Sequence, residues 1–395
     1  MIHRNYSLIA KQWLLWVLIL LSVPMGVSVA DGEQESESSK VFQFLKKVGT
    51  FLDSMAIRGM DRRYVELPQK PWQVIVQGNV NQSELTMNTT INGKELFNDN
   101  FSDISWESRV KTNVASYAGV WVGYRGYGLG YSTSLGHDEG SLFKFGFIGG
   151  RYGVNLRIRR FETNEPSVHM SGYMPDWQEN YVSEFKLENP IRVRMLTLDG
   201  YYLFKRKRFS YSAAYDQTII QKRSAGSLLA GAMYYHSSVA YDNDVNAAFI
   251  IYMNDIGIIK QSQLNIGAGY TYNFVPCKGL LINAMVMPMV SVFNHVKVWY
   301  FSSGLRDLLF AEKQNPSGDM DGEGFGDLFK IRFEGMESQN SRMRLNLDAR
   351  LSVTYNFGNW FVNAYGQFCN FRYRYEETRG RLRDWYVNAS IGLRL

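Results

Sequence analysis

Hydrophobic and polar residues alternate with a period of two over long stretches of this chain. In the clearest stretch, 342–357, every second residue is apolar and the residues between them are mostly arginine, asparagine or hydroxyl-bearing. Stretches 152–158, 264–274 and 385–395 follow the same pattern. The longest run exceeds the roughly 9–11 residues that a tilted strand needs to cross a bilayer. Because ordinary strands have about five or six residues, the pattern favours membrane-spanning strands over a soluble sandwich.

The alternation predicts an all-β fold, a transmembrane antiparallel up-and-down β-barrel of about 12 strands. A closed sheet pairs every backbone polar group internally, as lipid requires. The phase of alternation reverses near Leu196 and Cys369, which indicates a bulge or a strand that extends beyond the membrane. The polar stretches 162–190 and 303–340 are predicted to be irregular external loops. Weaker alternation marks further candidate strands near 72–80, 84–92, 105–113, 117–125, 127–135, 142–150, 191–204, 209–218, 227–239, 280–293 and 360–375.

The first 59 residues differ from the rest. Arg4 and Lys11 precede an apolar run at 13–23, and small residues at 28–30 suit cleavage, so 1–30 is predicted to be a signal peptide. An uncleaved anchor is the alternative, but the run is about half of the roughly 20 residues that a spanning helix needs. We then predict an acidic linker at 31–40, an amphipathic periplasmic helix at 41–59 and the barrel at 60–395, in the outer membrane of a Gram-negative bacterium.

Composition agrees with an exported barrel. The chain has 25 Tyr and 9 Trp, and both residue types accumulate at membrane interfaces. Its net charge is +6, but an exported protein does not meet nucleic acid, so the expected partners are outer-membrane lipid and the barrel-assembly machinery. Cys277 and Cys369 fit no metal spacing, and two unpaired thiols are favoured over a bridge. No metal or cofactor is predicted.

The predicted barrel interior is rich in arginine. If the apolar positions face lipid, a set of basic residues faces the lumen, because a charge at mid-bilayer costs roughly 2–4 kcal/mol. A lumen of one sign would attract small anionic solutes, whereas arginines paired with Asp348 and Asp384 would plug it; the second interpretation is favoured. The arginines concerned are Arg151, Arg157, Arg159, Arg342, Arg344, Arg350 and Arg394, and Lys144 joins them.

A non-enzymatic role is favoured over two alternatives. His236 and Ser238 have the spacing of a His-x-Ser pair on one lipid-facing strand side, which suggests a lipid-modifying enzyme of the phospholipase type. Partner binding through the two long loops is the other alternative. The block 221–227 is interpreted as a turn rather than a lipid-phosphate site. Met285, Met287 and Met289 share a strand whose two faces are both apolar, which predicts packing against an inserted segment or a partner.

Several segments carry a family resemblance. The most specific is FSYSAAYDQTIIQKRSAGSLLAG at 209–231; DRRYVE at 61–66, GLLINAMVMPMVSVFN at 279–294 and the final DWYVNASIGLRL add to it. Over about residues 50–395 the chain resembles domain-of-unknown-function family 4421, a family of outer-membrane β-barrels. The resemblance implies an outer-membrane barrel of uncharacterised role and no known activity, so it supplies no catalytic residues.

Overall fold

The computed structural model describes residues 59–91, 102–136, 140–149, 151–163, 167–174, 179–186, 189–205, 207–253, 255–304, 329–341, 343–375 and 378–395. The predicted signal peptide, the linker and the helix up to residue 58 lie outside these residues. None of the described helices combines the length and the apolar character needed to cross a membrane.

The described part of the chain is almost entirely strand. In chain order the strands are β1 (Val65–Glu66), β2 (Trp72–Ile91), β3 (Ile104–Lys111), β4 (Ala115–Tyr124), β5 (Tyr127–Ser134), β6 (Gly140–Ile148), β7 (Tyr152–Thr163), β8 (Ser167–Met174), β9 (Glu179–Lys186), β10 (Ile191–Leu203), β11 (Ile220–Gln221), β12 (Ala225–Ala240), β13 (Ile256–Cys277), β14 (Leu280–Ser303), β15 (Ile331–Asn340), β16 (Leu345–Phe357), β17 (Trp360–Tyr375) and β18 (Thr378–Arg394). Two short helices, α1 (Ser212–Tyr215) and α2 (Ala247–Tyr252), and a 3-10 turn (Asp244–Asn246) complete the described elements.

Twelve strands form a closed antiparallel barrel, which confirms the predicted architecture. Their order around the barrel is β2, β4, β5, β6, β7, β10, β12, β13, β14, β16, β17 and β18. β18 pairs with β2 and closes the sheet, with Leu393 opposite Val74. Outside the closed barrel, β3 pairs with the C-terminal half of β2, β8 pairs with β3, and β9 pairs with β8. β15 pairs with the C-terminal part of β14. The closed part therefore leaves no open strand edge, as a sheet in lipid requires.

Short turns define the periplasmic end of the barrel. The turns at 125–126, 278–279 and 358–359 lie at the end where Trp72 and Leu395 exchange backbone hydrogen bonds of 3.3 and 2.9 Å. Short turns of outer-membrane barrels face the periplasm. The turn at 125–126 has positive φ at both Arg125 (49°) and Gly126 (94°), and a Cβ on Gly126 would lie 2.2 Å from the Ile148 carbonyl oxygen. Only glycine fits there.

The outer face of the barrel is apolar and exposed. Val76, Leu228 and Leu351 are 57%, 57% and 55% exposed, although their neighbours on the inner face are buried. This inverts the pattern of a water-soluble domain and produces an apolar band that only lipid can cover. Aromatic rings border the band at the periplasmic end, where they form the expected interface girdle. They include Trp72 on Tyr124, Tyr127 on Phe147 and Tyr202 on Phe204.

The phase reversals mark where strands leave the membrane. The pairing of β10 with β12 is unbroken past Leu196, and that of β17 with β18 is unbroken past Cys369. At the extracellular end the outward side chains become polar while the inward ones become apolar, so the sequence pattern reverses without any bulge. A true bulge occurs instead in β14 near Val292, where the register with β13 shifts.

The long inserts are more regular than the sequence predicts. Insert 162–190 contains β8 and β9, and insert 303–340 contains β15, so the expectation of irregular loops is corrected for these parts. The predicted strands 72–80 and 84–92 are one strand, β2. Residues 84–91 of this strand pair with β3, outside the closed barrel. The alternation imposed by lipid therefore could not predict that the two segments are continuous.

The plugged interior as candidate functional site

A segment between β10 and β12 folds back into the periplasmic end of the barrel. We call residues 209–221 the plug segment; every residue in it is buried except Tyr215 and Ile220. The sequence pattern predicts a strand at 209–218, and this prediction is wrong, because 212–215 form helix α1 instead. Alternating Phe209, Tyr211 and Ala213 resemble a spanning strand, but the segment is apolar because the barrel wall surrounds it.

Inward polar side chains of six strands contact the plug segment. Asn273 of β13 donates to the Ser210 carbonyl at 2.7 Å, and Tyr215 donates to Asn283 of β14 at 2.6 Å. Asn363 of β17 donates to the Ala214 carbonyl at 3.2 Å, and Arg394 of β18 donates to the Gln217 carbonyl at 2.8 Å. Contacts to β10 and β16 complete the set: the rings of Tyr201 and Tyr211 lie with centroids 4.1 Å apart and planes tilted by 40°, and Arg350 donates to the Tyr211 hydroxyl. The wall thus satisfies backbone carbonyls that would otherwise be buried without partners.

Arg350 is the centre of a buried ion-pair network. Its guanidinium donates to Asp348 on the same strand at 2.7 Å and lies 3.3 Å from Asp199 on β10. A third contact, of 2.8 Å, reaches the hydroxyl of Tyr211 in the plug segment. Because β10 and β16 are separated by three strands, the Arg350–Asp199 contact crosses the lumen. The side chain of Arg350 therefore connects two distant strands of the barrel wall, β10 and β16, to the plug segment.

Further polar contacts cross the lumen nearer its middle. Arg159 of β7 donates to Asp384 of β18 and to Ser83 of β2, each at 2.7 Å. Lys144 of β6 donates to Gln77 and Asn79 of β2 at 3.2 and 3.3 Å. The strands joined in this way are not adjacent in the sheet. These side chains fill the bore, as is expected for a small barrel.

Apolar side chains share the interior with the polar network. Met285, Met287 and Met289 are buried and stand opposite Arg350, Asp348 and Asn346 in the sheet register, so the strand with two apolar faces packs inside its own barrel. Tyr235 of β12 stacks on Phe371 of β17 with ring centroids 4.2 Å apart. These side chains belong to a single buried cluster that extends from Phe209 and Tyr211 of the plug segment to the extracellular helix α2. The cluster excludes water beside the polar network.

A polar cavity lies between the plug segment and the wall. Its volume is about 100 Å³, enough for several water molecules, since one needs roughly 10–15 Å³ of such volume. Its lining includes the basic side chains of Lys144, Arg157 and Arg350 and the acidic side chains of Asp199 and Asp216. The cavity thus presents both signs of charge.

The predicted lumenal arginines occupy different environments. Arg159, Arg350 and Arg394 are buried inside the closed sheet, and Arg157 lines the cavity. Arg344 is half-buried, whereas Arg151 is exposed in the turn before β7. Arg342 lies outside the described residues.

Carboxylates offset the basic interior. Asp348 and Asp384 are the carboxylates predicted from sequence to pair with lumenal arginines, and both form salt bridges, with Arg350 and Arg159. Asp199 and Asp216 are not predicted from sequence. The alternation pattern places Asp199 on the inner face of β10, so its sequence position could have indicated a lumenal carboxylate. Asp216 lies in the segment 209–218 that is predicted to be a strand, so its position in the lumen could not be predicted. Opposite charges at this spacing make the interior a packed polar core rather than a ring of one sign.

Two of the family segments meet at the periplasmic mouth. Val65–Glu66 in the DRRYVE segment pair with Ile220–Gln221 at the end of the plug segment. Tyr64 lies beneath the guanidinium of Arg208, 5.1 Å from its ring centroid. The interpretation of 221–227 as a turn holds for residues 222–224, which connect β11 to β12, whereas Gln221 ends β11 and its buried side chain accepts a hydrogen bond from the Ser210 amide. The chain before the barrel thereby anchors the exit of the plug segment.

His236 does not pair with Ser238. Its Nδ1 lies 2.8 Å from the hydroxyl of Ser262 on the neighbouring strand β13. Ser238 instead stands opposite Lys260 in the sheet register. His236 is half-buried on the outer face, and its contact is that of an ordinary cross-strand polar pair. Cys277 and Cys369 are both free, as the sequence analysis favoured.

A closed barrel with an apolar exterior and a packed polar interior defines a β-barrel protein of the outer-membrane type. A family model described as "Domain of unknown function (DUF4421)" matches residues 75–393. The chain therefore belongs to this family of uncharacterised function. No curated protein matches the sequence.

Several solved structures share the barrel fold at very low identity. The outer-membrane protease OmpT of Escherichia coli is 7% identical, with a TM-score of 0.41, covering 84% of this chain and 98% of its own. The translocator domain of the autotransporter NalP of Neisseria meningitidis is 9% identical, with a TM-score of 0.31, covering 90% and 98%. OprG of Pseudomonas aeruginosa is 9% identical, with a TM-score of 0.26, covering 82% and 96%. These similarities concern the fold alone.

Proposed function

We propose that this protein is a non-enzymatic outer-membrane barrel with a structural role, closed to solutes by its plug segment. One observation carries the proposal: residues 209–221 are buried in the barrel and bonded to its inner wall. The wall side chains meet the plug segment at backbone carbonyls as well as side chains, so displacing it would leave several buried polar groups unpaired.

The charge pattern supports closure rather than conduction. A pore that selects anions presents rings of one sign to passing ions. Here Arg159 and Arg350 form buried salt bridges with Asp384 and Asp348, which removes much of their attraction for a solute. The buried methionines of β14 pack beside these salt bridges, opposite Arg350 and Asp348 in the register, and their apolar surface opposes the entry of water.

The proposal places the chain in the outer membrane of a Gram-negative bacterium after export by the N-terminal segment 1–30. Its partners there would be the surrounding lipid and, during insertion, the barrel-assembly machinery. The exposed apolar band on the barrel exterior supports the first of these partners.

Planar-bilayer recording tests the proposal. The folded full-length protein, verified by heat-modifiable gel mobility, is expected to give no single-channel current. A variant in which residues 209–219 are replaced by a short Gly-Ser connection is the matched comparison: current steps in this variant alone would assign the closure to the plug segment rather than to the side chains that cross the bore. Regular current steps from the unaltered protein at low voltage would overturn the proposal.

Anion permeation after displacement of the plug segment is a second candidate. The cavity lined by Lys144, Arg157 and Arg350 favours it, because removal of the plug segment would expose these cations to solvent. In the plug-replaced variant, Lys144→Gln is then expected to lower the anion-to-cation permeability ratio. An unchanged ratio would remove this candidate.

A further inference from the structure

Five arginines lie on the extracellular ends of β17 and β18. Arg372 stands directly opposite Arg381, Arg374 opposite Arg379, and Arg383 opposite Asn370. We call these five residues the arginine cluster. Because Phe371 and Leu382 are buried on the inner face and strand side chains alternate, the cluster points outward from the barrel.

The cluster begins where the apolar band ends. Phe368 and Trp385 are opposite each other on the outer face, and the next outward pair is Asn370 and Arg383. Below this level the outward residues of both strands are apolar, including Val362 and Ile391. A tryptophan at such a boundary is typical of the membrane interface. The cluster therefore lies at the level of the outer-leaflet headgroups.

Cross-strand arginine pairs destabilise a sheet in isolation, since like charges directly opposite each other repel. Among the described residues, Arg372 and Arg381 form no salt bridge, and Glu84 contacts Arg383 at 2.9 Å. Glu376 and Glu377, which follow β17 in the sequence, lie outside the described residues; counted together with Glu84, the three carboxylates are still outnumbered by the five arginines. The excess of positive charge matches a ligand that brings several negative charges.

We infer that the arginine cluster binds the phosphate groups of an outer-leaflet lipid whose acyl chains lie along the apolar outer face of β17 and β18. Guanidinium groups bond phosphate oxygens in pairs and at fixed geometry. Arg372 and Arg381 supply two such groups side by side, and Phe368 and Trp385 form the apolar surface directly beneath. A phosphorylated glycolipid fits both halves of this surface.

Binding of purified lipopolysaccharide to the folded full-length barrel in uncharged detergent tests the inference. The Arg372→Gln/Arg381→Gln variant is expected to bind about 25-fold more weakly, since a basic residue near an anionic lipid surface contributes about fivefold in affinity. The matched control Arg151→Gln/Lys278→Gln removes two exposed charges at the periplasmic end and is expected to stay within about twofold of the unaltered protein. Equal weakening in both variants would overturn the inference.

Two further arms identify the phosphate source. Lipopolysaccharide stripped of its phosphates is expected to bind the unaltered protein as weakly as intact lipid binds the double variant. Inorganic phosphate at millimolar concentration is expected not to compete, and full competition would overturn the lipid assignment.

If the glutamine variant does not show heat-modifiable mobility, Arg372→Lys/Arg381→Lys is used instead. This variant retains the charge, and its lipid binding is expected to fall only a few-fold. Unchanged lipid affinity in a folded glutamine variant would refute the site.

Discussion

Arg350 on the barrel wall donates a hydrogen bond from Nη1 to the hydroxyl of Tyr211 in the plug segment over 2.8 Å. The same guanidinium is held by Asp348, so a strongly bonded wall residue fixes the position of the plug segment. This contact links the sequence segment most characteristic of the family to the most buried charges of the barrel.

Replacement of Arg350 is expected to destabilise the folded barrel. Arg350→Ala leaves Asp348 and Asp199 buried without their cation, and breaking a buried ion pair from one side costs about 3–5 kcal/mol. Urea unfolding of the reconstituted barrel, followed by tryptophan fluorescence, measures the change. Arg151→Ala, at an exposed turn, is the control and is expected to stay within about 0.5 kcal/mol. Equal midpoints for the two variants would contradict the network.

The plug segment is expected to be more stable at mildly acidic pH. Burial raises the pKa of the Asp216 carboxyl to about 6, above its ordinary 3.8, although hydroxyl groups of Ser212 and Thr218 bond to it. The residue lies outside the spanning strands, and Arg394 and Tyr201 are the ionisable groups that influence it from the wall. The neutral form is favoured on folding, so this stabilisation is complete below pH 3.8 and is lost as pH rises through about 6.

Comparison with Asp216→Asn isolates this effect. The unaltered protein is expected to lose unfolding free energy between pH 5 and pH 7 relative to the variant, which has no carboxyl at this position. Parallel stability curves for the two proteins over that pH range would show that Asp216 does not titrate as its burial requires.

The spanning strands could be predicted from sequence because lipid imposes one rule on every outward side chain. Leu345, Leu351 and Val353 obey it, and their strand, β16, lies close to its predicted position. The rule does not apply to chain inside the lumen. There Phe209 and Tyr211 are buried by the wall, and nothing in their spacing distinguishes them from residues that face lipid.

Long-range partners were also hidden from the sequence. Asp348 and Asp384 were recognised as counter-charges because they share strands with arginines or lie at inward parity. Asp199 meets Arg350 only after the sheet closes, and His236 meets Ser262 only once β12 and β13 are in register. Alternation defines which face a side chain occupies, but it does not define which strands become neighbours.

Loss of His236 is expected to leave lipid turnover unchanged. Its bond to Ser262 is a cross-strand contact, so His236→Ala and Ser262→Ala should each match the unaltered protein in phospholipid hydrolysis by the detergent-solubilised barrel. Ser238→Ala is the control for the pair suggested by sequence. A measurable hydrolysis rate that disappears in His236→Ala would contradict the non-enzymatic proposal and restore the lipid-modifying alternative.

Cysteine accessibility tests the burial of the plug segment most directly. In a Cys277→Ser/Cys369→Ser background, Ala214→Cys places a thiol at a position with 0% exposure, and Lys278→Cys places one in an exposed periplasmic turn. With a water-soluble maleimide and the folded barrel, we expect rapid labelling at position 278 and labelling at position 214 only after heat unfolding. Equal labelling rates at the two positions in the folded protein would contradict a plug segment seated inside the barrel.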